Sequence, residues 1–171
     1  LGNPAAPVLL VVYSDFACSF CKDFHETLLR IITNEGSAGK VAIVYRQFPL
    51  SELHENSLSH AKAAECIAQV AGNLAFWRFA DALYKKQPVS PLSYGEIASM
   101  AGISNADFAT CFANVPAAIN ARIMADRQNA LDIGAEGTPY SLILVVGKPP
   151  VVMKGAFPYD AIQQRISEAL K

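Results

Sequence analysis

An apolar run, Val8 to Tyr13, ends just ahead of two cysteines, Cys18 and Cys21, and helix-like periodicity begins directly behind them. This order of strand, two-thiol turn and helix constrains the fold more than any other stretch. A strand without polar alternation is covered on both faces, as in a parallel or mixed sheet. A cysteine at the mouth of a helix meets unpaired backbone N–H groups and the positive end of the helix dipole, both of which favour the thiolate. Two thiols at this spacing can close a small disulfide, and one thiolate can attack a foreign disulfide that the other resolves. So short a loop adds little entropic stability, so an inert staple is the weaker reading.

From Phe20 to about Thr33, Cys21, Phe24, Leu28, Ile31 and Ile32 share one helix face, while Lys22, Glu26 and Arg30 recur on the other. Cys21 is therefore expected to face inward, with Cys18 exposed on the outer lip. Ser14 and Asp15 stand where the strand ends and can cap the helix. Gly36, after Asn34 and Glu35, is the expected left-handed residue that stops it.

Val41 to Tyr45 reads as a second strand. Residues 52–133 read as an inserted helical subdomain of about five helices, broken at Gly72 and Asn73, with Ser93/Glu96 and Ser104/Asp107 as capping pairs and Pro116 in a first turn. After Gly137, Thr138 and Pro139, the runs Tyr140 to Val146 and Val151 to Lys154, joined by Gly147, Lys148, Pro149 and Pro150, read as a β-hairpin. Gly155 ends it, and Pro158 opens a last helix with Ala161, Ile162, Ile166 and Leu170 as its buried stripe. The order is β-α-β, helices, β-β-α: an α/β fold in one domain, 1–171, with 1–51 and 134–171 forming the core around the 52–133 insertion.

The 171 residues are 52% hydrophobic, enough for a full core, and the net charge of −1 gives no basis for nucleic-acid or acidic-membrane binding. No apolar run approaches the roughly 20 residues of a membrane span. The first residue is Leu1, and a signal or anchor segment not present in these residues is expected to precede it. Cys66 and Cys111 complete an even set of four cysteines; they either pair, closing a loop of about 45 residues worth roughly 4 kcal/mol, or stay as buried free thiols. His25 reads as a solvent-side or edge residue, His54 as a cap and His60 as a helix-surface residue. Phe76, Trp77 and Phe79 read as core, and Lys148 and Lys154 as charges that discourage edge pairing.

Phe16, Cys18, Cys21, Lys22, Phe24 and His25, the stretches Tyr13 to Phe16, Val44 to Leu50, His54 to Asn56 and Ala63 to Cys66, and Gly137-Thr138-Pro139 before a terminal β-β-α together resemble the DsbA-like branch of the thioredoxin superfamily. The resemblance covers nearly the whole chain. It implies a thioredoxin-like fold, a cis Pro139 facing the cysteines, and a Thr138 backbone that receives an extended substrate strand. It also implies an extracytoplasmic protein, in the bacterial periplasm or on the cell-envelope exterior. Its partners would be unfolded or partly folded clients with cysteines and a membrane or soluble redox recycling partner; it would be monomeric and need neither cofactor nor metal.

The chain departs from the family at Ser19, where proline is common, and at Phe20, where a polar residue can support the thiolate. The attacking thiols of DsbA and thioredoxin titrate near ~3.5 and ~7, and without a donor at Phe20 the Cys18 thiol is expected to be less acidic than DsbA's. Relatives often carry a buried acid near the pair; the corresponding strand offers Val11 and Val12, and Asp15 reads as too near the surface for that role. The leading function is disulfide formation in exported proteins, with Cys18 attacking and Cys21 resolving. A reductase or isomerase of the same fold is the rival, and a metal-binding or carrier protein using the two cysteines is the alternative of another class, although zinc would want a second ligand pair.

Overall fold

In the computed structural model, which describes Leu1 to Lys171, β1 (Val8–Ser14) is the second strand of a four-stranded sheet of order β2-β1-β3-β4. It runs parallel to β2 (Val41–Gln47) and antiparallel to β3 (Tyr140–Val145), which turns back into β4 (Val151–Lys154). The uninterrupted apolarity of β1 has its predicted cause. Val8, Leu10 and Val12 enter the main core beneath α1 (Ser19–Ile31) and α6 (Tyr159–Ala169), while Val11 and Tyr13 pack on the opposite face against Ala130 and Tyr140. The element order is the one read from the sequence, and the fold is the mixed α/β thioredoxin-like fold that the resemblance implies.

Between β2 and β3 the chain is helical: α2 (Ser57–Lys86), α3 (Tyr94–Met100), α4 (Asn105–Ala113) and α5 (Ala117–Asp132). The break expected at Gly72 is a kink within α2, where that glycine takes φ 82°, a conformation side chains resist. Phe76, Trp77 and Phe79 are buried in the same core as the strands. Cys66 of α2 and Cys111 of α4 are joined by a disulfide across 45 residues, with Cα atoms 5.8 Å apart.

Several local expectations are corrected. Gly36 is not left-handed; it lies in a π-helical turn (Ile32–Gly36), where a Cβ would sit 2.4 Å from Ile32 Cδ1, and Gly39 takes the positive φ instead. The constraint at Gly36 is close approach to the Ile32 side chain, not handedness. The Ser93 side chain caps nothing: Ser90 Oγ accepts from Leu92 N, and Glu96 pairs with Lys86. Pro116 is the N-cap of α5 rather than a residue of its first turn. The stripe of α6 narrows to Ile162 and Ile166, because Leu170 is 39% exposed. His60 is not on a helix surface; it is buried and hydrogen-bonded to the Tyr94 hydroxyl.

A Cys66→Ala/Cys111→Ala double variant is expected to lose about 2–4 kcal/mol in urea unfolding, because the open chain regains the entropy of a long loop. An unchanged midpoint and slope would show that the bridge adds nothing to stability.

Candidate active site

The pairing of β1 with β3 sets Tyr140 opposite Tyr13 and thereby carries residues 138 and 139 beside the turn that follows β1. The Thr138–Pro139 peptide is cis, as the resemblance implies. Cys18 is the N-cap of α1, with extended backbone angles (φ −78°, ψ 125°), and its thiol reaches the Thr138 carbonyl oxygen at 3.5 Å. Two stretches 120 residues apart therefore meet at one sulfur.

Both cysteines are free thiols, yet their environments pull them in opposite directions. Cys18 is lowered to about 5. The largest cause is the hydrogen bond from the Cys21 thiol; burial opposes it, and the Thr138 side chain and the backbone N–H groups of Cys21 and Phe20 add to the lowering. Those N–H groups are the orphan donors of a helix start. The Thr138 hydroxyl is buried without a hydrogen-bond partner of its own, and the hydrogen bond recorded between Cys18 and Thr138 runs to the Thr138 carbonyl oxygen. Cys21 is pushed well above its ordinary value by burial, then by the hydrogen bond it gives to Cys18 and by the Cys18 charge; the Asp15 backbone and the Ser14 hydroxyl pull back. One cysteine is set up to carry a negative charge and the other to hold its proton.

The exposure of the turn differs from expectation. Cys18 is not on an open lip: it is 4% exposed, and Ser19 and Phe20 form the outer surface, Phe20 at 66%. The helix start folds the sulfur under the turn, toward Thr138.

Asp15 is likewise not near the surface: it is 1% exposed. Its Oδ1 accepts from Ala17 N at 2.9 Å, and its Oδ2 accepts from Leu50 N at 3.0 Å and lies 2.8 Å from His54 Nδ1. Asp15 thus caps the cysteine turn and ties it to the segment after β2, while the helix cap itself is Cys18. His54 is the partner of that carboxylate.

His25 is not at a solvent edge either. It is 3% exposed, its ring lies 4.8 Å from that of Tyr84, and neither nitrogen has a hydrogen-bond partner. Burial lowers its pKa to about 4, against the opposing pull of Asp81 3.7 Å away, so it is neutral near pH 7.

Sequence reasoning missed a buried row of hydroxyls behind the pair. Ser14 Oγ and Tyr84 Oη are 2.9 Å apart, and Tyr84 Oη and Tyr45 Oη are also 2.9 Å apart. Tyr45 was visible as the last residue of a predicted strand; nothing in the helical pattern of residues 74–86 marks Tyr84 as different from a core aromatic.

Replacing Asp15 with alanine strands two backbone donors and His54, and is expected to cost about 3 kcal/mol in urea unfolding. Asp15→Asn, which keeps an acceptor, should lose less. Equal losses would mean that the carboxylate has no special part in holding the turn.

Comparisons with known proteins agree with this geometry. A family model described as Thioredoxin matches residues 1–144. The Na(+)/H(+) antiporter NhaA 3 of Salinispora tropica is 32% identical over 99 residues, which cover 56% of this chain and 14% of that protein. The probable disulfide bond formation protein D of Bacillus cereus is 33% identical over 88 residues, covering 51% of this chain and 39% of that protein. The match to both relatives thus spans well under half of their length. Among solved structures, the thiol-disulfide exchange protein alpha-DsbA2 of Wolbachia pipientis superposes with a TM-score of 0.83 at 24% identity, over 98% of this chain and 84% of that one. That likeness gives the fold. No helix here is long and apolar enough to cross a membrane. With the matched span running from Leu1 through the cysteine turn and the cis-proline loop into β3, the chain belongs to the thioredoxin family and has the fold of its DsbA-type members.

Proposed function

We propose that this chain is a thiol-disulfide oxidoreductase that forms disulfides in exported proteins through Cys18 and Cys21. The observation that carries this reading is the split between the two sulfurs: Cys18 lowered to about 5, Cys21 pushed well up, and both beside a cis-proline loop. In the oxidised protein a client thiolate attacks Cys18 Sγ. The Cys18–Cys21 bond breaks, its electron pair goes to Cys21, and a mixed disulfide joins the client to Cys18. A second client thiolate then attacks the client's own sulfur and expels Cys18 as a thiolate, leaving the client oxidised and the dithiol reduced. A low pKa makes Cys18 a good leaving group and stabilises the reduced form, which favours this direction over reduction.

The clients on this reading are unfolded or partly folded proteins with cysteines, and a membrane or soluble redox partner restores the disulfide. Thr138 offers backbone to an extended client segment beside a cavity of about 300 Å³ lined by residues 136–140, Lys154 and Gly155, and Phe20 offers exposed apolar surface at the turn. The Cys66–Cys111 disulfide supports an extracytoplasmic setting, since such bonds persist in oxidising compartments. On the same reading, 52–133 is a helical cover on the 1–51 and 134–171 core.

Cys18→Ala should abolish both insulin reduction and oxidative refolding of a reduced client, and Cys21→Ala should accumulate the mixed disulfide. Unchanged activity in Cys18→Ala would overturn the assignment. Equilibration against glutathione should give a potential between about −270 and −120 mV, the values for thioredoxin and DsbA. A value at the thioredoxin end would make the protein a reductase, and stoichiometric metal without dithiol activity would make it a metal-binding protein.

The pH dependence has a definite sign. Between pH 5 and 9 the unfolded Cys18 thiol holds a proton that the folded one has released, so the stability of the reduced protein rises with pH. Relative to the oxidised form, that gain should be complete near pH 9 and lost as pH falls through about 5, and the rate of Cys18 alkylation should fall through the same point. A reduced-minus-oxidised stability difference that stays flat from pH 5 to 9 would contradict the lowered thiol.

A further inference from the structure

Cys18 is reached from β1 through two peptide planes, and both are pinned. The plane joining Phe16 to Ala17 is held at each end: the Ala17 N–H donates to Asp15 Oδ1 at 2.9 Å, and the Phe16 carbonyl oxygen accepts from Gln87 Nε2 at 2.9 Å. The next plane gives the Cys18 N–H to the Asp15 carbonyl oxygen at 3.2 Å. A rigid peptide unit bonded at both ends cannot turn without breaking one of its bonds. Phe16 is 1% exposed, so its carbonyl has no ready substitute for the Gln87 donor.

Gln87 is the C-cap of α2, in the helical insertion, 71 residues from Phe16. Its own N–H is bonded to the Tyr84 carbonyl oxygen at 3.2 Å, which fixes the helix end from which the side chain reaches out. Tyr84 braces the same turn: its ring lies 5.0 Å from that of Phe16, and its hydroxyl is 3.5 Å from the Asp15 carbonyl oxygen.

We propose that Gln87 is a positioning residue for the redox centre: with Asp15 it fixes the Phe16–Ala17 peptide, and so sets the N-cap geometry from which the Cys18 sulfur meets the first turn of α1 and the Thr138 carbonyl. Gln87 touches no reacting atom. Its effect passes along the backbone, since rotation of that peptide carries Ala17 and Cys18 with it and moves a sulfur that lies 3.5 Å from Thr138 O. No side chain caps α1, so its leading N–H groups are left for the Cys18 thiolate, and their value to that charge depends on where the sulfur is held. A tie that served only the fold would stabilise the reduced and oxidised proteins alike. One that shapes the helix mouth favours the thiolate, which exists only in the reduced protein.

The inference rests on the thiol-disulfide exchange proposed above. It is tested on the whole chain by the pH profile of Cys18 alkylation with iodoacetamide and by equilibration with glutathione. Gln87→Met, near in size but without a donor, and Gln87→Ala should each raise the alkylation midpoint by about 0.5–1 pH unit, the scale of one net hydrogen bond. A less acidic Cys18 stabilises the reduced form less, so the glutathione equilibrium should move roughly threefold to tenfold toward the disulfide. Phe79→Leu, a substitution in the buried core of α2 away from the turn, should lower the urea midpoint and move neither reading.

If the wild-type protein does not exchange disulfides with glutathione, the parent function fails and this inference with it. If it does exchange and Gln87→Met keeps the wild-type alkylation midpoint, the inference alone fails, whatever Gln87→Ala does, because the amide is then not what matters. Shifts of equal size in Phe79→Leu and Gln87→Met also overturn it, since they would trace to general loosening of α2.

Discussion

The site depends on the register of one strand pair. Because β1 and β3 close with Tyr13 opposite Tyr140, the residues just before β3 lie beside those just after β1. Thr138 and Pro139 thus meet Cys18, and the carbonyl of Pro139 is held by Gly155 N at 2.9 Å, at the end of the hairpin. A one-residue slip would take Ile143 out of the main core and turn Leu142 and Leu144, which pack on the opposite face, toward it, so every contact of β3 would have to be remade. The hydrophobic pattern that fixes the sheet therefore also fixes the chemistry, without any direct bond between the two requirements.

From that placement comes the electrical asymmetry of the two cysteines. They sit three residues apart, and burial raises both. At Cys21 burial is the largest cause, whereas at Cys18 the hydrogen bond from Cys21 outweighs it, and the two also differ in the donors each can reach. Cys18 at the N-cap collects the free N–H groups of the first turn and the Cys21 thiol; Cys21, one turn in, has spent its own proton on Cys18. The helix start makes the first sulfur acidic, and the second pays for it by holding its proton more tightly.

How much of this was legible in the sequence follows from the range of each interaction. The apolar run of β1, the amphipathic face of α1 and the hairpin are local patterns, and they read correctly; the two-thiol turn was placed at the helix start as it lies, but its first cysteine is folded under the turn and not on the lip. Thr138 of the cis peptide and its partner sulfur lie 120 residues apart, and their meeting was reached through the family resemblance alone. Asp15 was misread because its burial is created by Leu50 and His54, 35 and 39 residues away, which no local window contains. The misplacement of His25 has a different source: its position on the helix is compatible with either edge or core, and only the Tyr84 ring from α2 decides it. Gly36 shows a third kind of error, in which the residue was right and the reason wrong, since the constraint is a clash with Ile32 and not a left-handed turn.

A buried acid beside Cys21 would add a negative charge to a site that must already hold one on Cys18, and like charges at close range raise each other's pKa. Asp15, the nearest acid in the chain, is withdrawn from this part: both of its oxygens are committed to Ala17 N, Leu50 N and His54, so its charge is used to hold the turn's shape. With Phe20 supplying no polar contact from outside, the low pKa of Cys18 rests on backbone N–H groups, Thr138 and the Cys21 thiol, all of which are fixed by the fold. A site built this way keeps an acidic first sulfur even though the residues between its cysteines contribute little, which is why Ser19 and Phe20 are compatible with an oxidising centre.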